Sequence, residues 1–194
     1  MRTRSIEILP DHFYHVYNRG NNKQRIFRTE ENFRFFLRKF HEYFSEARVQ
    51  LFAYCLMPNH FHLLIRILQE FNFPNLMRSF STSYVKSFHS WYETSGHLFE
   101  DDYQAKPLDD ENHLVQAVPY VHLNPTLAGL VKNPEDWEFS NCRAWCSDED
   151  RESFPFNDIR KQLYGSPKDY REYLKQYATR KREIQEIERM LLRR

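Results

Sequence analysis

The chain has 194 residues, 41% of them hydrophobic and 16% aromatic, with four glycines and a net charge of +1. That length suits one compact domain with a modest extension, and so few glycines exclude collagen-like or flexible low-complexity character. No apolar run approaches the ~20 residues of a membrane helix, no signal peptide follows Met1-Arg2-Thr3-Arg4, and three cysteines without framework spacing (Cys55, Cys142, Cys146) fit reduced thiols in a cytosolic protein.

The small net charge hides a segregated one. Residues 1–92 carry 13 Lys and Arg against 7 Asp and Glu, residues 93–158 carry 4 against 15, and residues 159–194 carry 11 against 5. Phosphate neutralisation needs local positive charge, so the two basic flanks keep a nucleic-acid partner open.

In chain order, residues 12–18 are aromatic and β-branched and predict a strand, closed by turn chemistry at Arg19-Gly20-Asn21-Asn22. Thr29 followed by Glu30 and Glu31 opens a helix to about Ala47, with Phe33, Phe36, Leu37, Phe40 and Phe44 on one stripe. Val49–Leu56 and His60–Leu68 predict an antiparallel hairpin about Met57-Pro58-Asn59. A second long helix spans Asn75 to about Glu93, with Leu76, Phe80, Tyr84 and Phe88 spaced by four, and Tyr103–Leu108 follows as a fourth strand. Asp109 or Asp110 caps a third helix that Pro125 stops at about Asn124. Residues 132–158 read as irregular and acidic, and a basic helix runs from about 167 to 190. The order β-α-β-β-α-β defines an α+β, ferredoxin-like split βαβ fold: an antiparallel sheet with two helices on one face and the other left open for chemistry. Residues 1–145 form the expected catalytic domain and residues 146–194 a helical extension.

His60-Phe61-His62 lies on a predicted strand, where side chains alternate between faces. His60, His62, Leu64 and Arg66 therefore share the open face, two imidazoles able to chelate one divalent ion and Arg66 placed for a phosphate contact. Two histidines on a solvated strand face is the plain alternative. On the third helix Leu114, Ala117, Val118 and Val121 form the packing stripe, leaving His113, Gln116, Tyr120 and Asn124 on the other side, with Tyr120 and Asn124 neighbours at i and i+4. A phenol with a free pKa of about 10 is a poor nucleophile unless a metal polarises the phosphate it attacks, and a neutral amide oxygen such as that of Asn124 suits Mg²⁺ or Mn²⁺. Pro119 should kink this helix just before Tyr120.

The segments Leu56-Met57-Pro58-Asn59-His60-Phe61-His62-Leu63-Leu64 and Tyr120-Val121-His122-Leu123-Asn124-Pro125, running on into Ala128-Gly129-Leu130-Val131, resemble the REP-associated tyrosine transposases, members of the single-tyrosine HUH insertion-sequence transposases. Tyr14-His15-Val16-Tyr17-Asn18-Arg19-Gly20-Asn21 resembles their first strand and turn. The resemblance implies a metal-dependent endonuclease and strand-transferase that nicks single-stranded DNA beside a hairpin through a 5′-phosphotyrosine. It implies His60, His62 and Asn124 as ligands of Mg²⁺ or Mn²⁺, Tyr120 as nucleophile, and Asn18 and Arg19 near DNA, where Arg66 and Lys106 are also expected. A monomer or homodimer, cytoplasmic and nucleoid-associated, is expected. The chain departs from the pattern at Glu100-Asp101-Asp102, an acidic run before the fourth strand, and at Pro119. The alternatives are a hairpin-binding protein that no longer cleaves and a hydrolase acting through water with Tyr120 structural.

Overall fold

The computed structural model describes residues 7–108, 110–147 and 156–192. Four strands form one antiparallel sheet: β1 (Phe13–Arg19), β2 (Val49–Met57), β3 (His60–Ile67) and β4 (Gln104–Pro107), in the order β2-β3-β1-β4. Helices α1 (Glu30–Tyr43) and α2 (Phe73–Tyr92) cross one face, so the ferredoxin-like split βαβ arrangement is present. Their stripes bury Phe33, Phe36, Phe40, Met77, Phe80, Tyr84 and Phe88 against Tyr14, Val16, Phe61, Leu63 and Ile65 of the two central strands. Met77 rather than Leu76 takes the buried place on α2. α1 ends at Tyr43 instead of Ala47, because Phe44 leaves helical backbone and turns its ring into the core.

The other face is not open. α3 (Glu111–Leu127) packs directly on it, and α4 (Cys142–Cys146), α5 (Asn157–Tyr164), α6 (Pro167–Ala178) and α7 (Lys181–Leu192) close over α3. α3 is consequently buried on nearly all sides, His122 and Leu123 included, rather than along one stripe. The single C-terminal helix expected over 167–190 is two, broken at Thr179-Arg180. Their apolar side chains Tyr170, Leu174, Tyr177, Ile184, Ile187 and Leu191 join the same core as Phe52 and Leu64 of the sheet. The basic composition of this segment gives no sign of that burial.

Two details explain why α3 survives its prolines. Asp110 caps its start, accepting from His113 N at 2.8 Å. Pro119 has no N–H to give the Val115 carbonyl one turn earlier, and the Tyr164 hydroxyl of α5 donates to that carbonyl at 2.8 Å. Pro125 does not stop the helix, which runs on to Leu127.

The stretch expected to be irregular, 132–158, is ordered through residue 147, and residues 148–155 lie outside the described residues. It covers the outer edge of β2, where an exposed strand would invite pairing with another chain. Leu56 N donates to Phe139 O at 2.8 Å and Trp137 Nε1 to Leu56 O at 2.9 Å. A register shift between Leu51 and Ala53 marks a bulge. At that bulge the Phe52 carbonyl accepts from both Asn141 Nδ2 and Trp145 Nε1 at 2.9 Å.

Candidate active site

β1 and β3 pair so that Tyr17 lies opposite His62 and Arg19 opposite His60. Directly opposed residues share a face, so these four point toward α3. There α3 presents Tyr120 and, one turn on, Asn124. All of them line a cavity of about 290 Å³ with Asn18, Lys23, Asn59, Gln104 and the carboxylates Glu100, Asp101 and Asp102, while Glu188 and Leu192 of α7 form one wall. The strand pair and the tyrosine helix thus converge within one chain. The Tyr120 ring lies edge-on to His62 with centroids 5.8 Å apart, and the two histidine rings are 5.0 Å apart.

His62 is fully buried. Its Nδ1 is 2.8 Å from His15 Nε2, whereas its Nε2 has no hydrogen-bond partner among the described residues. Such a buried orphan is costly unless something occupies it. A proton on His62 Nδ1, donated to His15, leaves Nε2 as a bare lone pair, the form a metal requires. His60 is held from its other side, with Nδ1 2.7 Å from Asn59 Oδ1, and its ring also hydrogen-bonds the Asn124 side chain. Burial lowers the pKa of His60 to about 4 and that of His15 to about 3, and pushes His62 well down, helped by its two histidine neighbours. All three rings are therefore neutral near pH 7. Among the described residues no group of three His, Cys, Asp or Glu side chains could hold a metal. The donor set available is two imidazoles and the Asn124 amide oxygen, and these fit a hard divalent cation.

Tyr120 is buried, and its hydroxyl is held above the ordinary phenol range by burial and by the Glu188 charge, against a hydrogen bond from Asn124. The Asn124 amide also donates to the Tyr120 carbonyl at 2.8 Å. Asn124 therefore touches both the phenol and His60.

Of the four residues expected near DNA, two line this cavity and two do not. Asn18 spends its amide holding the loop before β4, donating to Asp101 O at 3.1 Å and accepting from Arg19 N at 2.8 Å. Arg19 makes a forked ion pair with Glu100, one arm of it 2.9 Å long. Arg66 shares the face of His60 but sits six residues along β3, about 20 Å away at strand rise. There it pairs with Asp11 at 3.2 Å and stacks over Phe13. Lys106 lies opposite His15 on β4 and its ammonium donates to Met190 O of α7 at 3.0 Å. His113 stands by Asp110 at the start of α3.

Sequence reading passed over two groups. His15 is one, although the alternation of β1 already places it on the face of Tyr17 and Arg19; its meeting with His62 follows only from the strand register. Glu188 is the other, brought in by the fold of α7 with no local signal.

A family model described as "Transposase IS200 like" matches residues 9–124 of this chain. Among solved structures, a REP-associated tyrosine transposase bound to a REP hairpin superposes with a TM-score of 0.60 and 18% identity, covering 81% of this chain and 90% of its own. A Deinococcus radiodurans R1 protein carrying a transposase assignment gives a TM-score of 0.42 and 12% identity, over 67% of this chain and 96% of its own. No curated protein matches. Among the described residues no helix is long and apolar enough to cross a membrane.

Proposed function

The chain belongs to the IS200-like transposase family, and from that premise we propose that it is a metal-dependent, single-tyrosine endonuclease and strand-transferase acting on single-stranded DNA beside a hairpin. The observation that carries this reading is the buried His62 Nε2, without a partner among the described residues, in the same cavity as His60, Asn124 and Tyr120. The hairpin bound by the structural neighbour supports DNA of that shape as the partner.

In the proposed reaction the Tyr120 oxygen attacks the scissile phosphorus, the bond from phosphorus to the 3′ oxygen breaks, and the phenolic proton ends on the released 3′-hydroxyl. The product is a 5′-phosphotyrosine that stores the bond for a second 3′-hydroxyl to reclaim. His60, His62 and Asn124 would hold Mg²⁺ or Mn²⁺, which supplies a Lewis acid for the phosphate oxygen. His15 keeps the His62 ring in its ligating tautomer. Asn124 orients the Tyr120 hydroxyl, whose pKa burial and the Glu188 charge raise.

Incubation of the purified chain with Mn²⁺ and a labelled hairpin carrying single-stranded tails is expected to give a covalent protein–DNA adduct, seen on a denaturing gel. EDTA should abolish it. Tyr120→Phe should abolish it while hairpin affinity stays within about twofold, because the many other backbone contacts that dominate affinity are kept. Cleavage by Tyr120→Phe at the wild-type rate would reject the assignment in favour of a water nucleophile. The acidic run Glu100-Asp101-Asp102 beside the cavity favours a second reading, a hairpin-binding protein without cleavage. It predicts salt-sensitive affinity and no adduct with either metal.

A further inference from the structure

The cavity is poorly prepared for a phosphodiester by charge alone. Glu100, Asp101, Asp102 and Glu188 face it against two cations, Arg19 and Lys23. Arg19 is occupied by Glu100. Lys23 is exposed, and none of the ion pairs among the described residues includes it. Among the described residues it is the cation lining this cavity that no ion pair neutralises.

Lys23 is also held in an uncommon way for a surface lysine. Asn22 and Lys23 both have left-handed backbone, with φ of 51° and 60°, a region that costs any residue bearing a Cβ. The turn that imposes this is fastened from both sides. Asn21 N donates to Leu98 O at 2.9 Å, and Gln24 Nε2 reaches the His97 and Leu98 carbonyls at 3.0 Å, on the loop before β4. Gly20 N donates to Asn59 O at 2.8 Å and Asn59 Nδ2 to Lys23 O at 3.4 Å, on the turn that carries His60. Gly20 cannot be replaced without moving this turn, since a Cβ there would sit 2.1 Å from Gln24 O. The same Asn59 that steadies His60 therefore steadies Lys23 beside it.

We propose that Lys23 is a phosphate-binding residue at the mouth of the cavity, gripping a backbone phosphate of the single-stranded segment next to the scissile one. The proposal rests on the DNA-processing reading above and adds to it a residue that neither the histidine nor the tyrosine motif contains. Its physical content is that one point charge, set on a clamped turn, offsets the carboxylates where the strand enters.

The test is affinity for a hairpin with a single-stranded tail, measured by fluorescence anisotropy in EDTA across a salt series. Lys23→Gln is expected to weaken binding about threefold or more near 0.1 M salt and to reduce the slope of log affinity on log salt by about 0.7, the contribution of one single-strand phosphate. Lys23→Arg should restore both, and Lys39→Gln, on the distant α1, should change neither. An unchanged slope in Lys23→Gln overturns the proposal, as does loss of affinity that arginine does not rescue, since that marks a structural role. The adduct assay separates the two readings. No adduct in the wild type with a Lys23-dependent slope removes catalysis and keeps Lys23, an adduct with a Lys23-independent slope does the reverse, and a wild type that binds no hairpin overturns both.

Discussion

His122 sits two residues beyond Tyr120 and ties α3 to its cover. It is fully buried, with Nδ1 2.6 Å from the Tyr170 hydroxyl and Nε2 3.0 Å from Asn141 Oδ1. Since the amide oxygen can only accept, Nε2 carries the proton and Nδ1 receives one from the tyrosine. The neutral ring thus satisfies both neighbours, and burial lowers its pKa to about 4. The sign of the pH effect follows: the unfolded chain binds this proton near 6.5 and the folded chain does not, so stability rises with pH between about 4 and 6.5 and is lost on acidification. This one group should cost about 1.5 kcal/mol between pH 6.5 and 5. His122→Gln, with a donor and an acceptor but no proton to gain, is expected to flatten that part of the stability–pH curve by the same amount in urea titrations. An unaltered pH dependence would show that His122 is not linked to folding in this way. Its neighbours in the motif, Tyr120 and Asn124, are legible from spacing alone, whereas His122's partners Tyr170 and Asn141 are not.

At the scale of the element, α3 raises the sharpest conflict between local rule and observed structure. Pro119 should kink it and Pro125 should stop it, yet one continuous helix carries Tyr120 into the cavity and runs on to Leu127. The hydroxyl of Tyr164 compensates by serving the carbonyl that Pro119 leaves without a donor. Tyr164→Phe is therefore expected to cost about 1 kcal/mol, the penalty of a partly buried carbonyl left unpaired. In a Pro119→Ala background, where the helix regains its own N–H, the same change should cost less. Equal losses in the two backgrounds, read from a double-mutant cycle of urea melts, would mean that the two groups are not coupled. The hairpin of β2 and β3 was readable because its alternation and its Met57-Pro58-Asn59 turn are local. The cover over β2 was not, because Trp137, Phe139 and Asn141 lie in an acidic stretch with no periodicity.

For the whole molecule, the outer helices are part of the core and not an appendage. Ile159, Leu174, Ile184, Ile187 and Leu191 are buried against the α3 side of the sheet. Each is worth about 1.5–3 kcal/mol when removed from water, together comparable with the ~5–15 kcal/mol that a whole domain retains on folding. We expect a chain ending at residue 145 to show no cooperative unfolding transition by circular dichroism in urea. A sigmoidal transition near the full-length midpoint would establish 1–145 as an independent unit. The segregated charge has a structural counterpart at this scale. The acidic middle supplies Glu100, Asp101 and Asp102 to the cavity, and the basic first segment supplies Arg19, paired with Glu100, and Lys23.

The amino-acid order alone determined what depends on near neighbours: a split βαβ succession of strands and helices, two histidines on one strand face, and a tyrosine and an asparagine one helical turn apart. Backbone periodicity dictates those relations within a few residues. Tertiary structure decided everything that joins distant segments. It set His15 against His62 across 47 positions and Tyr164 against Val115 across 49. It closed the supposedly open sheet face, and it engaged Arg66 and Lys106 elsewhere while leaving Lys23 at the cavity mouth. Such pairings depend on strand register and layer packing, which the spacing of residues along the chain does not encode locally.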